Sequence, residues 1–233
     1  MSEPTPIVFV PGLLATPRMY ADQIAKLWPF GPVTIADHTR DDSVPAIARR
    51  ILSSAPPKFA LIGLSMGGYV SLEITRQAPE RVAKLALLDT SARPDAPDQG
   101  DARRALMTMT RDGRFGEIAD QLFVRLVAPR HRNDENLRRI VRVMAQEVGP
   151  DAFLRQQTAI MTRPDARPIL SSIRCPTLVL VGDVDEITPP DRAAEIAAGI
   201  AGSRLMIVPG CGHLSTLERP DEVSLSLTEL LQS

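Results

Sequence analysis

Residues 61–70 read LIGLSMGGYV, in which an apolar run typical of a β-strand ends at Ser65 and a helix is predicted from Met66 to about Ala78. Gly63 and Gly67 stand two positions before and two positions after the serine. Where a strand turns directly into a helix, these positions come so close together that side chains would clash, and Gly68 lets the helix lie against the sheet. The G-x-S-x-G pattern in this context predicts a nucleophile elbow, which projects the serine oxygen above the sheet edge.

The composition is that of an ordinary soluble globular protein. The 233 residues are 44% hydrophobic and 24% charged, with a net charge of -1, which gives no indication of a nucleic-acid partner. No apolar run approaches the ~20 residues that cross a bilayer. Cys175 and Cys211 make no disulfide framework, and no cysteine–histidine spacing indicates zinc. The start MSEPTPIVFV lacks the basic and long apolar segments of a secretory signal. We therefore expect a cytoplasmic protein.

Six short apolar segments are predicted strands. They are evenly apolar, as expected for strands buried on both faces of a parallel sheet, and helical patterns fill most of the gaps between them. This alternation predicts an α/β fold with a mostly parallel sheet flanked by helices. The segments are 6–10, 32–36, 59–64, 82–89, 177–183 and 204–210.

One long gap, from about residue 92 to 172, contains no predicted strand. Its apolar residues follow helical stripes, which predicts an insertion of three to four helices that starts after SARPDAPDQG (91–100). We interpret 92–172 as a helical cap subdomain and 1–91 with 173–233 as the core. A last helix is predicted from Pro220, with acidic residues in its first turn.

Four segments together resemble the α/β-hydrolase superfamily over nearly the whole chain. VPGLLATPRMY (10–20), the elbow segment 63–92, PTLVLVGDVDEITPP (176–190) and VPGCGHLSTLERPDEV (208–223) look like its oxyanion, elbow, acid and histidine loops, in that order. The last three segments look most like 3-oxoadipate enol-lactonases and related small capped carboxylesterases. The resemblance implies the α/β-hydrolase fold with a helical cap, and a catalytic triad.

A serine hydroxyl needs an adjacent base to act as a nucleophile at neutral pH. Of the three histidines, His213 follows the last predicted strand through a glycine-flanked turn, which places it at the same sheet edge as Ser65. We therefore predict His213 as the base. His38 lies in a polar loop and His131 in a basic turn, and neither is predicted to belong to the site.

The imidazole in turn needs a carboxylate that fixes its tautomer. In resembling enzymes the acid falls three residues after the glycine that closes its strand, which from Gly182 is Asp185. Asp183 could instead cap the turn, and Glu186 is expected to face solvent. Asp89, at the end of segment 82–89, is the rival acid, with hydrogen bonding between loops as its alternative role.

Two backbone N–H groups are needed to hold the oxyanion. One is predicted at Met66, the residue after the nucleophile, and the resemblance implies the other at Leu13. Resembling enzymes often have histidine where this chain has Pro11, which leaves the hydrogen bonding around that loop in doubt. Cys211, beside His213, is interpreted as a small buried loop residue.

These residues predict a serine hydrolase of carboxylic esters or lactones that needs no metal or organic cofactor and acts on small molecules. A carbon–carbon bond hydrolase of ring-cleavage products, a cofactor-free perhydrolase and a small-molecule receptor remain alternatives, since all could keep the same three residues. In the cap, arginines outnumber acidic residues and lysine is absent. Such a lid could favour anionic substrates, although we favour the interpretation that most of these arginines cover outer helix faces. No feature sets an oligomeric state.

Overall fold

The computed structural model describes residues 4–233, with a six-stranded sheet at its centre. Every strand pairing within the described residues is parallel, and the strand order is β2-β1-β3-β4-β5-β6. Each strand lies inside its predicted segment, which confirms the predicted fold class. The strands are Ile7–Val10 (β1), Val33–Ile35 (β2), Phe59–Leu64 (β3), Val82–Leu88 (β4), Thr177–Gly182 (β5) and Arg204–Val208 (β6).

Helices cover both faces of the sheet because its strands are apolar on both faces. Ile7 and Phe9 of β1 belong to one hydrophobic cluster, while Val8 and Val10 belong to the cluster on the opposite face. Helices α1 and α10 contribute to the first cluster, and α2, α3 and α8 to the second. The helices are Ala21–Leu27 (α1), Val44–Ser54 (α2), Met66–Gln77 (α3), Pro97–Arg111 (α4), Ile118–Leu126 (α5), Glu135–Val148 (α6), Pro150–Met161 (α7), Pro190–Gly199 (α8), Ser215–Glu218 (α9) and Pro220–Gln232 (α10).

Four α-helices, α4 to α7, lie between β4 and β5, where the sequence predicts a helical insertion. The predicted stripes supply the buried side chains of Ile118, Val141 and Met144, which join the cluster on the α1 and α10 face. The predicted start is wrong, because α4 begins at Pro97, inside residues 91–100. Proline fits a first helical turn, and the side-chain oxygen of Gln99 accepts a hydrogen bond from the Ala96 N–H at 2.9 Å. The division into core and cap subdomains stays a prediction.

Within residues 4–233, each helix is too short or too polar to cross a membrane. Residues 1–3 belong to the N-terminal segment in which the sequence predicts no secretory signal, and they lie outside the described residues.

Candidate active site

The predicted elbow joins β3 to α3. Ser65 has φ 55° and ψ −116°, a conformation that side chains rarely adopt. A methyl group on Gly63 would lie well under 3.0 Å from the Gly67 carbonyl, and one on Gly67 would overlap the Val10 carbonyl. The glycines therefore allow the tight turn in the way the sequence pattern predicts.

Backbone strain is concentrated at this edge of the sheet. Among residues 4–233, the non-glycine residues with positive φ are Leu14, Ser65 and Asp89. They follow or end β1, β3 and β4, which are neighbours in the sheet. Such conformations cost about 1–3 kcal/mol each and persist where the surroundings enforce them, often at functional sites.

Ser65, His213 and Asp185 form one hydrogen-bonded chain. His213 Nε2 lies 2.8 Å from Ser65 Oγ, and His213 Nδ1 lies 2.8 Å from Asp185 Oδ2. His213 is 2% exposed and Asp185 3% exposed, whereas Ser65 is half-buried at the cavity described below. The three residues that the sequence predicts for this site are thus brought together from three separate loops.

The Asp185 carboxylate is fully occupied by donors. Its Oδ1 accepts the N–H groups of Ile187 at 2.8 Å and Thr188 at 3.0 Å. Its Oδ2 accepts the Thr188 hydroxyl at 2.8 Å in addition to His213. Burial alone would raise the pKa of Asp185, but His213 and the N–H donors outweigh it and hold that pKa below its ordinary value.

The same ion pair acts on the imidazole with the opposite sign. Burial alone would lower the pKa of His213, but the negative charge of Asp185 and its hydrogen bond outweigh this effect. The pKa of His213 consequently lies above its ordinary value of 6.5. The charged imidazole is therefore stabilised in place, as general base chemistry requires.

The rival carboxylates have other partners. Asp89 is fully buried, and its oxygens accept the N–H groups of Gly182 at 3.1 Å and Ser215 at 3.3 Å, so it ties the acid and histidine loops to β4. Burial and the negative charge of Asp185 raise the pKa of Asp89 to about 8. Asp183 accepts the Cys211 N–H at 3.1 Å, and exposed Glu186 pairs with Arg132 at 2.6 Å.

A further carboxylate, which the sequence reasoning missed, holds the histidine loop. Glu218 is nearly buried, and its Oε1 accepts the N–H groups of Gly212 at 3.1 Å and Leu214 at 3.2 Å. Its Oε2 accepts the Ala128 N–H at 2.8 Å, just after α5. Glu218 thereby fixes both sides of His213. A glutamate five residues after the histidine carries no motif, so no signal in the single sequence singles it out.

The two predicted backbone donors border the serine. Met66 is the first residue of α3, and Leu13 lies in the loop after β1 and lines the cavity together with Ser65. Neither N–H group donates a hydrogen bond to another residue of 4–233. Two unpaired N–H groups beside Ser65 are what an oxyanion formed there would need.

The remaining histidines and cysteines differ in their surroundings. His38 lies in the polar loop after β2, as expected, but its side chain is only 3% exposed and its Nε2 lies 2.8 Å from the Gly12 carbonyl oxygen. His131 lies near the surface, beside Arg130. Cys211 is buried, and burial raises the pKa of its thiol far above the ordinary value, which makes it a packing residue.

A cavity of about 270 Å³ opens onto Ser65 and His213, between the sheet edge and helices α4 to α7. The predicted stripes line much of it. Arg103 and Arg125 also border the cavity, and Arg103 pairs with Asp95 at 2.6 Å. Other arginines of this region pair with acids at the surface, as Arg114 does with Glu117. The apolar lining is formed by Met19, Leu106, Leu122, Leu126, Val141, Met144 and Ile160.

Comparison with known proteins places the chain among hydrolases. The model of the alpha/beta hydrolase family matches residues 7–224. The chain belongs to this family. The resemblance to the α/β-hydrolase superfamily that the sequence motifs indicate is therefore confirmed.

Relatives and solved structures agree with this placement. The chain is 27% identical over 231 residues to a pimeloyl-[acyl-carrier protein] methyl ester esterase of Neisseria meningitidis serogroup B, covering 92% of this chain and 88% of the relative. It superimposes on a thermophilic esterase from Thermogutta terrifontis with a TM-score of 0.88 and 30% identity, covering 98% and 89% of the two chains. An enol-lactonase from Burkholderia xenovorans LB400, at 22% identity, shares the fold with a TM-score of 0.87, covering 100% and 93%.

Proposed function

We propose that this alpha/beta hydrolase cleaves carboxylic esters or lactones through an acyl-enzyme intermediate formed on Ser65. Family membership, together with relatives that are esterases, makes the chain an ester-hydrolysing enzyme. The roles of its residues and the class of its substrate are the proposal.

The observation that carries this proposal is the position of His213 between Ser65 and Asp185. Its two ring nitrogens lie at 2.8 Å from the serine oxygen and from the carboxylate. A carboxylate on Nδ1 requires the proton there, which leaves Nε2 free to accept the proton of the serine hydroxyl. Ser65 is thereby a nucleophile whose base, His213, is already in hydrogen-bond contact with it.

The reaction follows from this arrangement. Ser65 Oγ attacks the carbonyl carbon while its proton passes to His213 Nε2, and the Leu13 and Met66 N–H groups donate hydrogen bonds to the developing oxyanion. The charged imidazole, stabilised by Asp185, then gives its proton to the leaving alcohol oxygen. Water attacks the acyl-enzyme by the same route in reverse, which releases the acid and restores Ser65.

The cavity favours substrates with a compact apolar acyl group. Its volume of about 270 Å³ and its leucine, methionine and isoleucine lining suit a short or medium chain or a small ring. In a lactone, the alkoxide leaving group stays attached to the acyl chain, so both parts of the substrate would occupy this cavity.

The proposal is tested with a panel of short p-nitrophenyl esters, enol-lactones and a β-diketone ring-cleavage product. We expect turnover of an ester or lactone, and Ser65→Ala should lower kcat by on the order of 10⁴-fold or more with the fold intact. The exposed serine variant Ser54→Ala is the matched control and should keep wild-type turnover. Near-normal turnover by Ser65→Ala would remove the proposed nucleophile, and cleavage of the diketone alone would replace the substrate class. A folded protein that a fluorophosphonate probe fails to label would favour a receptor.

A further inference from the structure

His38 lies outside the proposed triad, yet it is a buried polar residue next to the site. It follows β2, which pairs with β1, and the loop after β1 carries Leu13. The carboxyl ends of adjacent parallel strands meet at one edge of a sheet, so the two loops are neighbours. A buried histidine at this place calls for a hydrogen-bond partner.

That partner is the carbonyl oxygen of Gly12, at 2.8 Å from His38 Nε2. A carbonyl oxygen only accepts hydrogen bonds, so the proton of the neutral ring must lie on Nε2. Burial lowers the pKa of His38, which keeps the ring neutral near pH 7. His38 is thus a fixed donor to one peptide group.

The peptide group that His38 holds is the one that carries the Leu13 N–H. The Gly12 carbonyl and the Leu13 N–H belong to a single planar trans unit, in which they point in opposite directions. Whatever fixes the direction of the carbonyl therefore fixes the direction of the N–H. This unit also lies against the elbow, because a methyl group on Gly12 would be 3.4 Å from Ser65 Cβ.

Local contacts restrain the loop from within. The Ala15 N–H donates to the same Gly12 carbonyl at 3.2 Å, and the Leu14 N–H donates to Gln156 Oε1 at 3.1 Å. The Ala15 contact closes a turn inside the loop and moves with it. His38 instead links this peptide unit to the end of β2, so the orientation of the Gly12 carbonyl is fixed relative to the sheet.

We propose that His38 is a positioning residue of the oxyanion hole, whose Nε2–H holds the Gly12–Leu13 peptide with the Leu13 N–H directed at the substrate oxyanion. This inference rests on the proposed function, since it assumes that Leu13 is one of the two donors. It assigns to His38 the stabilising contact that Pro11, lacking a side-chain donor, does not make.

The test compares His38→Gln with His38→Asn, two amides that differ in reach. The Gln amide nitrogen occupies about the position of Nε2 and can still donate to Gly12, whereas the shorter Asn amide corresponds to Nδ1 and cannot. Loss of a whole oxyanion donor lowers kcat by about 10²–10³-fold, so a misdirected donor should cost about tenfold or more. We expect this loss in His38→Asn with KM nearly unchanged, and kcat close to wild type in His38→Gln. Affinity for an aryl trifluoromethyl ketone, whose adduct carries an oxyanion, should fall in parallel with kcat.

Thermal denaturation and the surface variant His131→Asn serve as controls, and His131→Asn should leave kcat, KM and ketone affinity unchanged. Wild-type kcat in folded His38→Asn, or equal losses of kcat in both amide variants, would overturn the inference. If His38→Asn does not fold, two measurements decide: a large kcat loss in folded His38→Gln, or a wild-type His38 shown by imidazole nitrogen NMR shifts to carry its proton on Nδ1, would each overturn it. Failure of the proposed function is a separate result, namely turnover that survives Ser65→Ala.

Discussion

Replacing Asp185 with asparagine tests the proposed relay, because the structure dictates how the new amide must lie. The Ile187 and Thr188 N–H groups both point at Oδ1, at 2.8 and 3.0 Å. The amide oxygen can accept both, whereas an NH₂ group there would leave two buried donors unpaired at about 1–3 kcal/mol each. The oxygen therefore takes the Oδ1 position, and the NH₂ group is directed at His213 Nδ1.

This orientation reverses the tautomer of His213. Facing an N–H donor, Nδ1 must become the acceptor, so the proton moves to Nε2. Nε2 then donates to Ser65 Oγ and can no longer take the serine proton. A reversed tautomer with intact geometry lowers kcat by on the order of 10⁴-fold, which corresponds to about 5.4 kcal/mol of transition-state stabilisation.

Initial rates on p-nitrophenyl acetate across a pH series would measure this loss, with folding checked by circular dichroism. Asp183→Asn is the matched control. Asp183 lies in the same loop, but it is exposed and accepts a hydrogen bond from the Cys211 N–H rather than from His213. It should keep kcat within a few-fold of wild type. A folded Asp185→Asn enzyme that retains a tenth of wild-type kcat or more would refute the tautomer argument, as would a larger loss in Asp183→Asn.

The pH profile gives a second test. Because neutral His213 is the base and its pKa is raised, kcat/KM should rise with pH and reach half its plateau above pH 6.5. A midpoint below pH 6.5 would contradict this role of His213. Gly67→Ala should destabilise the protein by about 1–3 kcal/mol or more in urea, because the methyl overlaps the Val10 carbonyl. Gly116→Ala is its control, because a methyl group on Gly116 would have no other atom within 4 Å. Equal free energies of unfolding for the two variants would contradict the elbow argument. In Glu218→Gln the amide oxygen can replace only one carboxylate oxygen, so at least one of the three N–H groups that Glu218 binds loses its acceptor. The free energy of unfolding in urea should fall by about 1–3 kcal/mol. The exposed variant Glu222→Gln should not, and a stable Glu218→Gln would show that those bonds add little.

The parts of the site that the sequence predicts are those tied to strand ends. Ser65 and His213 each follow a strongly apolar segment, and parallel strands bring such ends to one edge. Asp185 required the family resemblance, because Asp183 lies nearer the strand end. The structure places His213 within hydrogen-bond distance of both Ser65 and Asp185, while the catalytic roles of the three residues stay a prediction.

The residues that the sequence does not reveal act through long-range contacts. Glu218 and His38 bind backbone groups of loops distant in sequence, and nothing in the order of residues specifies which N–H or carbonyl a side chain will meet. Strand order is the missing information, since the contact between His38 and Gly12 depends on β2 lying beside β1. The start of α4 at Pro97 is predictable from the sequence, because proline is favoured in the first turn of a helix and the same rule correctly predicts that α10 begins at Pro220.

Chemical trapping tests whether Ser65 is a nucleophile that His213 activates. The folded enzyme is treated with a fluorophosphonate, digested, and its adduct located by peptide mass spectrometry. We expect a single rapidly formed adduct on Ser65, and we expect His213→Ala to slow its formation strongly because the hydroxyl then has no base. An adduct on another residue, or labelling of Ser65 at the same rate without the imidazole, would contradict it.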